Sequence, residues 1–125
     1  MLFDLTIWPV WLGGLVLFFA FVVGHAVADF GLQSAFLAGA KVPPKPGERK
    51  GGELDTIWIH ALTAHALIHG GVVWLIAGSP LFGLIETGLH LIIDYLKSTD
   101  RFNFNIDQIL HYSCKVAYVI VIVTG

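Results

Sequence analysis

Residues 9–39 read PVWLGGLVLFFAFVVGHAVADFGLQSAFLAG, an almost unbroken apolar run that begins with a proline. A transmembrane helix needs about 20 mostly apolar residues, so this run is long enough to cross a bilayer. Pro9 suits the first position of a helix. The segment before it has no Lys or Arg, and the run itself contains His25 and Asp29. We therefore expect a retained helix rather than a cleaved signal peptide.

Three further stretches of the chain are apolar enough to form helices of this kind. The sequence predicts helices over residues 9–39, 54–77, 81–97 and 104–124, with a charged, Pro- and Gly-rich loop over residues 40–53. Of the 125 residues, 56% are hydrophobic and only 13% are charged, against about 25% charged in soluble domains. Mean hydropathy is +0.77. The expected fold is all-α: one transmembrane domain over residues 1–125, an integral membrane four-helix bundle.

The basic residues indicate how such a bundle is oriented. They flank the first and third connections between helices: Lys41, Lys45, Arg49, Lys50, Lys97 and Arg101. By the positive-inside rule these connections face the cytoplasm, which places both termini outside. The net charge of −2 gives no basic face for nucleic acid, so the lipid bilayer is the expected partner.

Each predicted helix carries a pair of polar residues four positions apart. The pairs are His25 and Asp29, His65 and His69, His90 and Asp94, and Asp107 and His111. Residues at i and i+4 lie one turn apart on one helix face, so both side chains of a pair can reach one metal ion. With the orientation given above, all four pairs fall in the cytoplasmic half of the membrane.

The cost of burying charge favours an inward orientation for these pairs. An ionised Asp near the bilayer centre costs about 3 kcal/mol on insertion scales. Asp29, Asp94 and Asp107 are therefore expected to face the bundle interior. His and carboxylate ligands suit zinc, iron or manganese. Eight candidate ligands exceed the needs of one catalytic zinc, so one or two divalent ions fit. Hydrogen bonds between helices, without metal, are the alternative.

Other polar residues extend these faces. Glu86 lies one turn before His90, and Lys115 lies one turn after His111. Lys115 has two open roles: it binds a carboxylate or substrate phosphate, or it extends its ammonium group toward the membrane interface or pairs with Asp107. His60 lies five residues before His65, off the face of its helix, and is expected near the membrane interface.

Three motifs resemble a known family. They are HAVADFGLQ over residues 25–33, HLIIDYLK over 90–97 and DQILH over 107–111. The chain resembles the bacterial domain-of-unknown-function family numbered 3307, small multi-helix proteins of the inner membrane. The resemblance implies a multi-pass protein of the bacterial inner membrane, and it implies no activity. His and Asp clusters on membrane helices are also similar to those of membrane-bound metal-dependent hydrolases.

The leading functional hypothesis is a metal-dependent hydrolase that opens toward the cytoplasmic leaflet. The metal ligands would come from His25, Asp29, His65, His69, His90, Asp94, Asp107 and His111. A bound metal lowers the pKa of its water to about 7, and Asp29 or Glu86 would act as the general base. The location suits an amphipathic or lipid-like substrate. Two other hypotheses stay open: an accessory subunit that binds other membrane subunits, and a divalent-ion or proton carrier.

Overall fold

The structure is a computed structural model that describes residues 1, 4–45, 47, 48 and 51–125, without the side chain of Leu54. Within these residues the chain is all-helical and contains no strand. The α-helices are α1 (Val10–Ala26), α2 (Ala35–Ala40), α3 (Ile57–Ala77), α4 (Pro80–Ser98) and α5 (Phe104–Thr124). A π-helical turn, Val27–Gly31, continues α1, and two 3-10 turns lie at Leu5–Ile7 and Glu53–Asp55.

Local sequence signals set the ends of the long helices. Gly78 ends α3 with a φ of +69°, a left-handed conformation that favours glycine. Pro80 then begins α4, so only two residues separate α3 from α4. At the start of α5, the Asn103 side chain accepts a hydrogen bond from the Ile106 amide at 3.0 Å. The short turn at Gly78 and Ser79 makes α3 and α4 a tight antiparallel hairpin.

The predicted continuous helix over residues 9–39 is wrong at its C-terminal end. The helical path stops after the π-turn at Gly31, and the short helix α2 begins only at Ala35. Ser34 is extended and its Oγ accepts a hydrogen bond from the Leu37 amide at 3.2 Å, which caps a new helix. The apolar run therefore folds as a long helix, a break and a short helix that contacts α3.

The hairpin of α3 and α4 forms the most extensive helix–helix contact, and α1 and α5 pack against it and each other. Gly70 and Gly83 bring the two hairpin backbones together: a methyl group on Gly70 would lie 2.6 Å from the Gly83 carbonyl oxygen. A methyl group on the neighbouring Gly71 would face open space.

One end of this helix assembly is filled by apolar side chains. The buried cluster there comprises Leu17, Phe21, Val73, Ile76, Ala77 and Tyr118. These residues come from the middle of α1 and the C-terminal parts of α3 and α5. The predicted ligands of the same helices therefore lie toward the opposite end, where polar side chains replace the apolar core.

The exterior of the helices is strongly apolar. Large side chains such as Phe19, Leu75, Leu84 and Ile109 are exposed on the long helices. Among the described residues, three helices are long and apolar enough to cross a membrane: Val10–Gly31, Ile57–Ala77 and Phe104–Thr124. The fourth long helix, α4, carries Glu86, Asp94 and Lys97 within its 19 residues. The fold is thus that of an all-helical protein suited to a lipid environment.

Candidate metal centre

Five imidazoles from all four long helices meet in the polar part of the interior. His25 comes from α1, His65 and His69 from α3, His90 from α4 and His111 from α5. Each is at most 2% exposed. The rings of His69 and His90 stack with their centroids 3.6 Å apart, and those of His90 and His111 at 4.2 Å. The structure therefore brings together all the histidines predicted as ligands.

Asp29, on the π-turn, is the first of two carboxylates that these imidazoles surround. Its Oδ2 lies 3.3 Å from His25 Nε2. Its Oδ1 lies 3.3 Å from His65 Nε2 and 3.1 Å from His69 Nε2. Gln108 Nε2 donates a hydrogen bond to Oδ2 at 3.3 Å. Asp29 thus links α1 to α3 and α5 through polar contacts.

Asp94, on α4, is the second such carboxylate. Its Oδ2 lies 3.4 Å from His65 Nε2, and its Oδ1 lies 3.7 Å from His90 Nε2 and 3.4 Å from His111 Nε2. Lys41 Nζ, at the end of α2, donates a hydrogen bond to Oδ2 at 2.5 Å. Asp94 therefore contacts three imidazoles and one ammonium group in a buried site.

Asp107 borders this group on the side of α5. Its Oδ1 lies 3.6 Å from His111 Nε2, and its Oδ2 accepts a hydrogen bond from Gln108 Nε2 at 3.1 Å. Lys97 Nζ lies 3.7 Å from Oδ2 and is partly exposed. Gln108 thus connects Asp107 with Asp29. The eight predicted ligands form one continuous cluster, which we call the His/Asp cluster.

The contacts within the His/Asp cluster are spaced like ligands of a metal. In each of the five histidines, Nε2 faces an Asp carboxylate of the cluster, at 3.1–3.7 Å. Two ligand atoms bound to one tetrahedral zinc at 2.0–2.1 Å are about 3.3 Å apart. Nitrogen–oxygen hydrogen bonds are mostly 2.7–3.2 Å long. The spacing fits shared coordination better than direct hydrogen bonding.

Many polar atoms of the cluster lack hydrogen-bond partners. Within the described part of the chain, no hydrogen bond reaches either ring nitrogen of His25, His65 or His90, Nε2 of His111, or Oδ1 of Asp107. Buried polar groups are nearly always hydrogen-bonded, and an unsatisfied one costs about 1–3 kcal/mol. A ligand that uses these lone pairs would remove that cost.

The donor atoms divide into three groups whose members lie within 4.8 Å of one another. The groups are Asp29 with His65, His69 and His90; His25 with His90 and His111; and Asp94 with Asp107 and His111. Imidazole and carboxylate donors in such sets suit zinc, manganese or iron. Cys114 is half-buried and belongs to none of these groups.

A second buried polar network lies beside the His/Asp cluster, on its apolar side. Lys115 Nζ donates to Glu86 Oε1, and Tyr118 Oη donates to Glu86 Oε2 at 2.9 Å. We call these three residues the Glu86 triad. His90 Nδ1 lies 3.4 Å from Glu86 Oε1. Of the two roles open for Lys115, the structure shows a carboxylate contact, and the partner is Glu86 rather than Asp107.

Sequence reasoning missed several residues of the site. Lys41 was used only as one of the basic residues that set the membrane orientation, because its position in a loop gave no sign that its side chain contacts α4. Gln108 lies three residues before His111, a helical spacing, but it was not considered because an amide is not among the preferred ligands of zinc. Tyr118 follows Lys115 by three residues on α5, a spacing that places both on one face. His60, by contrast, is exposed at the start of α3, away from the cluster.

The fold and the site define a class: an all-helical protein with helices able to cross a membrane and a buried cluster of His and Asp residues. The chain belongs to the family described as "Protein of unknown function (DUF3307)", which matches residues 17–125. The resemblance found in the three motifs is therefore confirmed over nearly the whole chain. No curated protein and no solved structure matches it.

Proposed function

We propose that this chain is a multi-pass protein of the bacterial inner membrane whose four long helices enclose a divalent metal centre. In this arrangement α4 crosses the bilayer with the three more apolar helices. Its charged residues are accommodated because Glu86 and Asp94 face Lys115 and Lys41 in the interior rather than lipid. Both termini lie outside, and the His/Asp cluster lies in the cytoplasmic half.

The position of the basic residues supports this orientation. Lys45 and Lys97 lie at the same end of the molecule as the His/Asp cluster, near the ends of α2 and α4. Lys41 is at this end too, although it is largely buried against Asp94. Arg49 and Lys50, which also entered the topological argument, lie outside the described residues.

The metal hypothesis rests on one observation: five buried Nε2 atoms face three carboxylates at ligand–ligand spacing while most of them lack hydrogen bonds. Interhelical hydrogen bonding alone would leave the donors and acceptors paired. Of the His–Asp contacts, only His69 with Asp29 has hydrogen-bond geometry within the described residues. These unpaired nitrogen and oxygen atoms favour a partner that accepts their lone pairs, and a metal cation is such a partner.

A metal-dependent hydrolase is the activity that this site favours. The bound cation would supply an activated water and polarise the scissile bond. Asp29 is the better general base, since its side chain is 13% exposed. Glu86 is enclosed by Lys115 and Tyr118, and its carboxylate faces His90 Nδ1, so it orients that ring. In this proposal the site opens toward the cytoplasmic leaflet, and the substrate is accordingly amphipathic or lipid-like.

The apolar end of the molecule argues against a carrier. A pathway for ions would need polar groups on both sides of the cluster. Beyond Tyr118 the interior is filled by Leu17, Phe21, Val73 and Ile76. An accessory subunit of a larger complex is the second candidate, because the exposed apolar side chains would suit partner helices as well as lipid.

Elemental analysis of the detergent-purified protein tests the proposal. We expect stoichiometric zinc, iron or manganese in the parent chain and its loss in a His65→Ala, His69→Ala variant. His60→Ala is the matched control, because that histidine is exposed on the same helix. A parent without stoichiometric metal would exclude the metal centre. A metal-bound parent that cleaves no phosphate or ester in substrate libraries would favour the accessory subunit.

A further inference from the structure

The His/Asp cluster contains two sets of donor atoms with no residue in common. Asp29, His65, His69 and His90 form the first set, in which three imidazoles would hold a cation and leave its fourth position for the water beside Asp29, the proposed general base. The second set consists of Asp94, Asp107 and His111. Three donors leave positions open for water or substrate. The cluster therefore has room for two cations rather than one.

The second set has features of an incomplete cation site. Asp107 and His111 are each 1% exposed. Within the described residues, Asp107 Oδ1 and His111 Nε2 have no hydrogen-bond partner, and the two atoms lie 3.6 Å apart. At 3.6 Å an N–H on His111 forms no hydrogen bond to Asp107, whereas a cation between the two atoms would bind both of them.

Lys41 already places a positive charge at this set. Its Nζ donates to Asp94 Oδ2 at 2.5 Å, and the residue is 8% exposed. Lys41 follows directly on the short helix α2, so its side chain reaches the cluster from outside the long helices. The Lys41 ammonium is thus already bound to Asp94, one of the carboxylates that a second cation would need.

The charge balance of the cluster gives Lys41 a specific role. Asp29, Asp94 and Asp107 carry three negative charges, and one divalent ion together with the buried Lys41 ammonium balances them, while the partly exposed Lys97 ammonium lies 3.7 Å from Asp107 at the edge of the cluster. A second divalent ion on Asp94 would repel the ammonium at short range. The lysine and the second ion therefore compete for the same carboxylate.

We propose that the centre binds a second divalent cation on Asp94, Asp107 and His111, and that Lys41 is its built-in competitor, displaced when this ion binds. The inference rests on the proposed metal centre and specifies its stoichiometry. Two carboxylates with one imidazole favour cations that accept oxygen ligands, such as manganese, iron or zinc. The second ion is the weaker one because it must displace the ammonium.

The test is a zinc titration of the full chain in detergent micelles after removal of metal with a chelator. Bound zinc per chain is measured by equilibrium dialysis and elemental analysis. The variants are Asp107→Asn, His111→Gln and Lys41→Met. Matched controls are Asp100→Asn and Lys45→Met, since Asp100 and Lys45 form an exposed ion pair with an Nζ–Oδ2 distance of 3.3 Å outside the cluster. His60→Ala corrects for zinc on an exposed histidine.

We expect two zinc ions per parent chain, one tight and one weak. Asp107→Asn and His111→Gln should each bind only the tight ion. Lys41→Met should bind both, with the weak ion about tenfold tighter or more, because a charged hydrogen-bond partner of Asp94 is gone. The matched controls should behave like the parent chain.

Each departure has a defined meaning. One ion in the parent, two ions with unchanged affinity in Asp107→Asn, or an unchanged weak ion in Lys41→Met would each overturn the second site while the metal centre stands. No bound ion in the parent would overturn both proposals. Lys41→Met keeps the three carboxylates, so it remains informative even where a ligand variant fails to fold.

Discussion

The His/Asp cluster and the Glu86 triad are both buried and both polar, yet they differ in how their charges are paired. In the Glu86 triad, each carboxylate oxygen has a donor, from Lys115 or from Tyr118. In the His/Asp cluster, seven imidazole nitrogens and Oδ1 of Asp107 have no hydrogen-bond partner among the described residues. A buried network in which every donor and acceptor is paired stabilises a fold, whereas one with unpaired polar atoms indicates a ligand-binding site.

The largest expected change in stability comes from breaking the Glu86 triad. Glu86→Ala leaves the Lys115 ammonium buried and unpaired, which should lower the free energy of unfolding by about 3–5 kcal/mol. Thermal unfolding in detergent measures this, with Glu53→Ala at an exposed position as the control. The double variant Glu86→Met, Lys115→Met should recover most of the loss. A Glu86→Ala protein as stable as its parent would show that the triad is not a structural ion pair.

Through the His/Asp cluster, added metal should instead raise the free energy of unfolding. Zinc at about one hundred times its dissociation constant should stabilise the chelated parent by about 2.7 kcal/mol. The His65→Ala, His69→Ala variant should lose this stabilisation, because it lacks two of the imidazole donors that would hold the first cation. Melting temperatures with and without zinc check the prediction. If His60→Ala also abolished the response, zinc would be acting elsewhere on the chain.

A smaller effect is expected where a single hydrogen bond is removed from the Glu86 triad. Tyr118→Phe deletes the 2.9 Å bond to Glu86 Oε2 and should cost about 1.5 kcal/mol, as for a hydrogen bond to a charged group. Zinc-induced stabilisation should not change, since Tyr118 lies on the apolar side of the cluster. Loss of that response in Tyr118→Phe would mean that the two networks act as one.

The smallest effect is expected at the surface. Lys45→Met breaks an ion pair in which both side chains are mostly exposed, and such pairs contribute about 0–1 kcal/mol. Unfolding measurements should place this variant within about 0.5 kcal/mol of the parent. A larger loss would indicate that the loop carrying Lys45 contributes more to the fold than its exposure suggests.

Much of the His/Asp cluster could be predicted because helical spacing is a local property. Pairs such as His25 with Asp29 and His90 with Asp94 lie four residues apart, and their faces follow from the geometry of one helix. The shared depth of the four pairs followed from charges in the loops. The structure accordingly brings together every predicted ligand.

What the sequence did not predict depends on contacts between distant residues or on small local choices. Lys41 contacts Asp94 across 53 positions, and no periodic pattern signals such a contact. Glu86 was predicted as a base because it follows the helix face of His90, but its partners on α5 enclose it. The break after Gly31 lies far from Pro9, the one proline of the apolar run, and a serine cap at Ser34 begins the next helix.

In the proposed multi-pass arrangement, the two-residue connection between α3 and α4 also has a consequence for how the chain would enter a membrane. On its own, α4 is a poor substrate for insertion, because Glu86, Asp94 and Lys97 would meet lipid. Joined to α3 by Gly78 and Ser79, and held at the Gly70–Gly83 contact, it can insert as half of a helical hairpin. Its charges find their last partners, including Lys115, only when α5 follows. Biogenesis would then be ordered, with α5 completing the neutralisation of a hairpin already in place.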